Sequence, residues 1–255
     1  MTTDSKRIGR RLLEALRHPR SRRVHSVAAI MALGLGFGML AASLAPRQAD
    51  DAAHKGVTAP STATQPLSAH RPKQANFEQE SVSHEARHVA DWVVDSGDNR
   101  RMSFAIVDKK DAKVFVFDAD GRLRGATSAL LGLARGDDSV PGIGDRKLSS
   151  IRPEERTTPA GRFVASLGHN LRGQEILWVD YDAAISMHIL RPTNPQERRT
   201  QRLAALSPLD KRITYGCINV PAKFYDNVVH PAFAGTNGIV YVLPETRSAH
   251  EVFGS

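Results

Sequence analysis

The sequence contains one cysteine, Cys217, which lies in the segment RITYGCINVP (residues 212–221). A lone cysteine in a folded domain is most often a small buried apolar residue. Gly216 precedes it and a predicted helix begins just after it, an arrangement that can direct backbone N–H groups at a bound anion. His188 ends a predicted strand upstream, in AISMHIL (residues 184–190). The two residue types suit nucleophilic catalysis, with the thiol as nucleophile and the imidazole as base.

Composition limits the classes of protein that this chain can be. Its 255 residues are 41% hydrophobic and 24% charged, which is typical of a folded protein. The formal charge is +8, but the first 26 residues carry +6 of it and the remaining 229 only +2. The folded part therefore lacks the basic face of a nucleic-acid binder. One cysteine also excludes an intramolecular disulfide framework and a multi-cysteine zinc site.

Residues 27–45 form an uncharged apolar stretch that follows the basic residues 1–26. As a helix it would span roughly 28 Å, close to the thickness of a bilayer core. The preceding arginines place the N-terminus in the cytoplasm and the rest of the chain outside it. We therefore predict a basic cytoplasmic segment and then a transmembrane anchor or signal sequence. The expected location is the inner membrane, single-pass, with the catalytic domain in the periplasm, or the periplasm itself if the segment is cleaved.

The remainder of the chain divides into a linker and one domain. Residues 46–80 are rich in Pro, Ala, Thr, Gln and Ser without an apolar period, which predicts a flexible linker. Residues 81–255 begin with an amphipathic helix over 81–94. Strands are predicted within residues 102–127, 161–168, 176–190 and 238–245, with helical segments at 195–206 and 221–229. The fold class is therefore α+β and β-rich.

Three motifs in this order resemble the L,D-transpeptidase catalytic domain family of the YkuD type. TPAGRF (residues 158–163) matches the family pattern Thr-Pro-x-Gly-x-Phe, and His188 matches its strand histidine. TYGCIN (residues 214–219) agrees at five of six positions with Ser/Thr-His-Gly-Cys-hydrophobic-Asn/Arg. The resemblance covers about residues 101–244 and implies a mixed β-sheet sandwich or cradle with a few helices.

The resemblance also implies peptidoglycan chemistry. Cys217 would attack a peptide bond of a donor stem tetrapeptide, form a thioester, and pass the acyl group to an amine acceptor. His188 would be the general base, oriented by the backbone carbonyl of Ile189. The N–H groups of Gly216 and Cys217 would form the oxyanion hole. No cofactor and no metal are implied, and the expected partners are peptidoglycan stem peptides and, through the N-terminal helix, the inner membrane.

The chain departs from the family pattern in two places. Tyr215 stands where the family usually has a second histidine, and its hydroxyl could hydrogen-bond near the oxyanion. The interval from His188 to Cys217 is longer than the spacing that is usual in the family. The added segment, residues 190–212, is either a lid that clamps stem carboxylates or a solvated helical insert. Its arginines are Arg191, Arg198, Arg199 and Arg202.

Two further residues near Cys217 are candidate substrate contacts. Thr214 is one of them, and Asn219 either holds the substrate backbone or stabilises the loop. Three functions remain open: a transpeptidase, a hydrolase of the same fold that uses water as acceptor (an L,D-carboxypeptidase or amidase), and a non-catalytic peptidoglycan-binding protein. The departure at Tyr215 keeps the third alternative open.

Overall fold

The computed structural model describes residues 71–255. The predicted cytoplasmic segment, the apolar stretch at 27–45 and the linker up to residue 70 lie outside the described residues. Within 71–255, no helix combines the length and the apolar character that crossing a membrane requires.

The described part of the chain is mostly β-sheet with few helices, as the sequence predicted. Its strands are β1 (Phe104–Asp108), β2 (Lys113–Phe117), β3 (Leu123–Ser128), β4 (Leu131–Gly132), β5 (Gly161–His169), β6 (Glu175–Asp180), β7 (Ile185–Ile189), β8 (Arg212–Thr214), β9 (Ile218–Val220) and β10 (Gly238–Val242). Its α-helices are α1 (His84–Ser96), α2 (Arg199–Ala204), α3 (Ala222–Phe224), α4 (His230–Phe233) and α5 (Ala249–Phe253). A π-helical turn, Tyr225–Val229, joins α3 to α4.

Helix α1 begins and ends where its sequence signals it. The Ser83 hydroxyl accepts the Ala86 N–H at 3.1 Å and caps the first turn. Gly97 ends the helix in the left-handed conformation, at φ 70°, which glycine adopts without a steric penalty. Val89 and Val93 lie on the buried face, as the apolar spacing predicts.

Eight strands form one mixed sheet in the order β3-β2-β1-β10-β5-β6-β7-β9, and β4 pairs with β8 in a separate two-stranded ladder. The pairs β1–β10 and β7–β9 are parallel, and the other neighbours in the large sheet are antiparallel. The strands predicted within residues 102–127 are present as β1, β2 and β3, and β2 and β3 form a hairpin whose turn contains Gly121. The short strands β4, β8 and β9 were not predicted, because two or three residues carry too little pattern.

Two apolar cores lie against the large sheet. One core runs along one face of the sheet and includes Val107 of β1, Val240 of β10, Ala165 of β5 and Met187 of β7. Tyr225, Val229 and Phe233, from the helical segment after β9, belong to the same core. The second core lies on the other face of β1, β2 and β10, where α1 covers it.

Ordered packing begins before residue 81, where the sequence placed the end of the linker. Ala75 and Phe77 are buried, and Phe77 makes edge-to-face contacts with Phe115 and Phe117. The Asn76 N–H donates to the Gly121 carbonyl at 2.8 Å. Ala75 and Phe77 are not part of a repeating apolar pattern, so nothing in the spacing of residues indicates that they belong to the domain.

Candidate active site

Strand register places the two candidate catalytic side chains on the same face of the sheet. Strands β7 and β9 run parallel with Met187 opposite Ile218 and His188 opposite Asn219. Met187 and Ile218 point into the core. Because successive side chains alternate between the faces of a sheet, His188, Asn219 and Cys217 point to the opposite face.

A tight turn between β8 and β9 presents Cys217, and only glycine fits before it. Gly216 has a φ of 125°. A Cβ there would lie 2.7 Å from the Thr157 carbonyl oxygen and 2.6 Å from Cδ1 of Ile185. Any side chain at this position would therefore clash with backbone and displace the turn that carries Cys217.

The hydroxyl groups of two buried threonines hold this turn in place. Thr158, from the TPAGRF motif, donates to the Gly216 carbonyl at 2.8 Å and accepts the Gly132 N–H at 2.9 Å. Thr214 donates to the Cys217 carbonyl at 2.6 Å and accepts the Gly216 N–H at 3.1 Å. Both hydroxyls are thus used within the protein.

These contacts describe the surroundings of two predicted site residues. Thr214 is buried, and its hydroxyl supports the turn. The Gly216 N–H, a predicted oxyanion donor, donates to the Thr214 hydroxyl in this structure. Sequence could not show either point, because both depend on the conformation of the turn.

Cys217 is half-buried at the end of a groove. Its Sγ lies 3.7 Å from the Ser186 hydroxyl and 3.8 Å from the Ala184 carbonyl oxygen. Burial alone would raise the pKa of the thiol, but the interaction with His188 and the contacts from Ser186 lower it by more, so the pKa of Cys217 is below its usual value.

His188 has one nitrogen fixed by backbone, as the sequence predicted. Its Nδ1 lies 3.0 Å from the carbonyl oxygen of Ile189, which can only accept a hydrogen bond, so Nδ1 carries the proton. Burial lowers the pKa of His188, whereas Cys217 and the Ile189 carbonyl raise it by more, and the net change is upward. The shifts of the two partners have opposite signs, which favours proton transfer from thiol to imidazole.

The Asn219 side chain lies between His188 and Arg199. Its Nδ2 lies 3.1 Å from Nε2 of His188. Its Oδ1 accepts a hydrogen bond from Nη1 of Arg199 at 2.8 Å. Asn219 is almost completely buried, so it contacts the base rather than the solvent-facing side of the groove.

Tyr215 and Arg191 occupy different environments. Tyr215 lines the groove beside Cys217, and the guanidinium of Arg156 lies 4.0 Å from the centre of its ring. Arg191 is exposed in the segment after β7, and no contact within residues 71–255 links it to the cysteine–histidine pair. In this conformation, Tyr215 belongs to the site and Arg191 does not.

The groove is small, with about 70 Å³ that a water-sized molecule can enter, and its lining is mainly apolar. The side chains of the loop that follows β4 form one wall, and the turn between β6 and β7 forms the other. Its apolar lining residues are Ile143, Leu148, Ile151, Ala183, Ala184 and Ile185. Within residues 71–255 no three His, Cys, Asp or Glu residues are grouped so as to hold a metal ion.

Sequence reasoning missed two residues of this site. Ser186 precedes His188 by two positions on the same strand, so strand alternation would have placed it on the same face. Arg199 was noted only as one arginine of the inserted segment. No sequence signal identified it as the partner of Asn219, because that contact joins residues on separate elements.

No protein-family model and no curated protein matches this chain. Solved structures that it resembles include the helical cell shape determining protein Pgp2 from Campylobacter jejuni (14% identity, 58% of this chain and 49% of that one, TM-score 0.39). Another is the catalytic domain of the Enterococcus faecium L,D-transpeptidase (17% identity, 56% of this chain and 98% of that one, TM-score 0.32). A third is the Mycobacterium smegmatis L,D-transpeptidase (12% identity, 55% of this chain and 58% of that one, TM-score 0.32). The chain spans about half the length of Pgp2. Similarity of this degree does not define the chemistry, which depends on the chain's own side chains.

Proposed function

We propose that this chain is a cysteine acyltransferase of the L,D-transpeptidase type that acts on peptidoglycan stem peptides. The observation that carries the proposal is the position of Cys217 immediately before β9, the strand that runs parallel to β7 and pairs with it at His188. The interaction of the two side chains raises the pKa of His188 and lowers that of Cys217, which supports the proposal. The motifs TPAGRF and GCIN support it, because Thr158 of the first holds the turn of the second.

In the first half-reaction the donor stem is cleaved. Sγ of Cys217 attacks the carbonyl carbon before the terminal D-alanine as His188 takes the thiol proton. The C–S bond forms, the C–N bond breaks, and His188 returns the proton to the departing amine. The products are a thioester on Cys217 and free D-alanine.

In the second half-reaction the thioester is resolved. An amine of another stem attacks the thioester carbonyl carbon and gives its proton to His188. The new C–N bond forms as the C–S bond breaks, and the thiolate regains its proton. Water in place of the amine would give the hydrolase alternative with the same residues.

Magnitudes indicate which task of His188 matters most. Lowering the pKa of a thiol by about two units raises the thiolate fraction roughly 25-fold, but nucleophilicity falls about eightfold, a net gain of about threefold. Proton delivery to a leaving amine contributes about 10²–10⁴-fold. His188 therefore acts chiefly as proton carrier.

The proposal includes a location. Residues 27–45 would tether the domain to the inner membrane, with residues 71–255 in the periplasm, where stem peptides occur. Fusing a reporter that folds only outside the cytoplasm to the C-terminus tests this: an inactive reporter on an expressed fusion would contradict it.

Intact mass spectrometry of the full chain in detergent, mixed with a disaccharide-tetrapeptide, tests the chemistry. We expect an acyl adduct with loss of D-alanine, absent from Cys217→Ala. Dimeric products then indicate a transpeptidase and hydrolysed products a hydrolase. A folded protein that binds the stem but forms no adduct would contradict the proposal and favour the non-catalytic alternative. Tyr215→His would then be the first variant to examine.

A further inference from the structure

Arg199 reaches the catalytic face from the segment inserted between β7 and β8. It begins helix α2, and its side chain is 15% exposed. One guanidinium nitrogen, Nη1, donates to Oδ1 of Asn219 at 2.8 Å, and Nε pairs with the Glu197 carboxylate. The guanidinium is therefore held by two acceptors on either side of it.

This contact determines which way the Asn219 amide faces. Arginine can only donate hydrogen bonds, so the amide oxygen must face Arg199 and the NH₂ group must face His188. Nε2 of His188, 3.1 Å away, is then presented with an N–H donor. Since Nδ1 already donates to Ile189, Nε2 is the nitrogen with the lone pair.

The arrangement opposes protonation of His188 at Nε2. An imidazolium would direct a second N–H at the amide N–H, which places two donors against each other. The charged or titratable groups that face His188 are Cys217, which raises its pKa, and Arg199, which lowers it. Glu197 faces Arg199 and partly offsets its charge.

We propose that Arg199 is a positioning residue that acts through the Asn219 amide to keep Nε2 of His188 as a hydrogen-bond acceptor. Because the Asn219 N–H lies against the Nε2 lone pair, transfer of the thiol proton to Nε2 is opposed in the resting state. The proposal rests on the proposed function for its catalytic meaning. The inserted segment thus supports the base, which is a role other than clamping the substrate.

The test is the pH profile of Cys217 alkylation by iodoacetamide in the full chain, a reaction that needs no stem peptide. In Arg199→Met the Asn219 amide can turn so that its oxygen accepts the Nε2–H of a protonated His188. The imidazolium–thiolate pair is then more stable, and the Cys217 thiolate persists to lower pH. We expect the acid limb of the profile to move down by roughly 0.5–1 pH unit. Arg199→Lys, which keeps a charge and a donor, should retain part of the wild-type position.

Arg202→Met is the matched control. It removes the same charge from the same helix, and Arg202 contacts the carbonyls of Glu197 and Asp210 rather than Asn219. We expect its acid limb to match the wild type. In an Asn219→Ala background, Arg199→Met should lose at least half of its effect, because the amide that transmits it is absent.

An unchanged acid limb in a folded Arg199→Met, or an equal shift with and without the Asn219 amide, would overturn the proposal. The ¹⁵N chemical shifts of the His188 ring provide a second measurement if the double variant does not fold. Arg199→Met should show more imidazolium than wild type at the same pH, and equal amounts would overturn the proposal.

The outcomes of these experiments separate the role of Arg199 from the proposed function. A shifted limb without acyl transfer contradicts only the proposed function, and normal acyl transfer with an unshifted limb contradicts only the role of Arg199.

Discussion

The Thr158 hydroxyl donates a hydrogen bond to the carbonyl oxygen of Gly216, the residue immediately before Cys217. Both residues are buried, and 58 positions separate them in the chain. The same hydroxyl accepts the Gly132 N–H, so one side chain joins β4, the TPAGRF segment and the turn that presents the thiol. The motif therefore acts on the site through its geometry rather than by contact with a substrate.

Thr158→Val tests this link. The variant keeps the shape of the side chain but leaves the Gly132 N–H and the Gly216 carbonyl without their partner in a buried place. We expect a loss of roughly 2–4 kcal/mol in the free energy of unfolding, measured by chemical denaturation. Thr157→Val is the control, because the Thr157 hydroxyl has no hydrogen bond among residues 71–255 and its loss should cost less than about 1 kcal/mol. Equal losses would show that the hydroxyl of Thr158 is not the cause.

Gly216→Ala should be far more damaging than alanine at another left-handed glycine. The new Cβ would lie 2.7 Å from the Thr157 carbonyl oxygen, in a conformation that is already unfavourable for alanine. We expect a loss of more than about 3 kcal/mol in the free energy of unfolding, together with slow alkylation of Cys217. Gly235 also has a positive φ, 71° against 125° for Gly216, but it has open space around it, so Gly235→Ala should cost about 1 kcal/mol. A Gly216→Ala variant as stable as Gly235→Ala would contradict the described turn.

Asp137 should make the domain sensitive to acid. Burial would raise the pKa of this carboxyl, but hydrogen bonds from Lys109, Thr246 and nearby backbone N–H groups lower it well below its usual value. A carboxyl whose pKa is lower in the folded state stabilises the fold above its unfolded pKa of about 3.9, and this contribution is lost as pH falls. We expect a loss on the order of 2 kcal/mol between about pH 5 and pH 2.

The control for this acid sensitivity is the neighbouring exposed carboxyl. Asp137→Asn should have a flatter dependence of unfolding free energy on pH and a lower stability at neutral pH. Asp138, whose side chain is 81% exposed, should behave like wild type when changed to Asn. The same slope in Asp137→Asn as in wild type would assign the acid sensitivity to other carboxyls.

His188→Ala should shift the titration of Cys217 upward. Burial then acts on the thiol without the opposing interaction from the imidazole, so the pKa of Cys217 rises. We expect the acid limb of Cys217 alkylation to move to higher pH by about 1 unit or more, and acyl transfer to fall by about 10²–10⁴-fold. His169→Ala removes an exposed histidine of β5 and should leave the limb in place. A limb that does not move in His188→Ala would mean that the two side chains do not interact.

Several parts of the fold could be predicted because each depends on neighbouring residues. Helix α1, its Ser83 cap and its Gly97 end follow from spacing and local hydrogen bonding. The β2–β3 hairpin follows from two strand-like runs on either side of the Asp120-Gly121 turn. The Ile189 carbonyl as partner of His188 was implied by the family resemblance, and the contact joins adjacent residues. The start of the domain near Phe77 could not be predicted, because the burial of Phe77 depends on strands some forty residues away.

Residue types, local elements and the order of the motifs can be read from the amino-acid chain, and they identify Cys217 and His188 as the candidate pair. The partners of these residues come from the tertiary structure. It directed the Gly216 N–H to Thr214, gave Thr158 the task of holding the turn, and brought Arg199 to Asn219. The reason is that hydrogen bonds between distant segments depend on strand register and on side-chain orientation across the sheet. Neither quantity is contained in the spacing of residues along the chain.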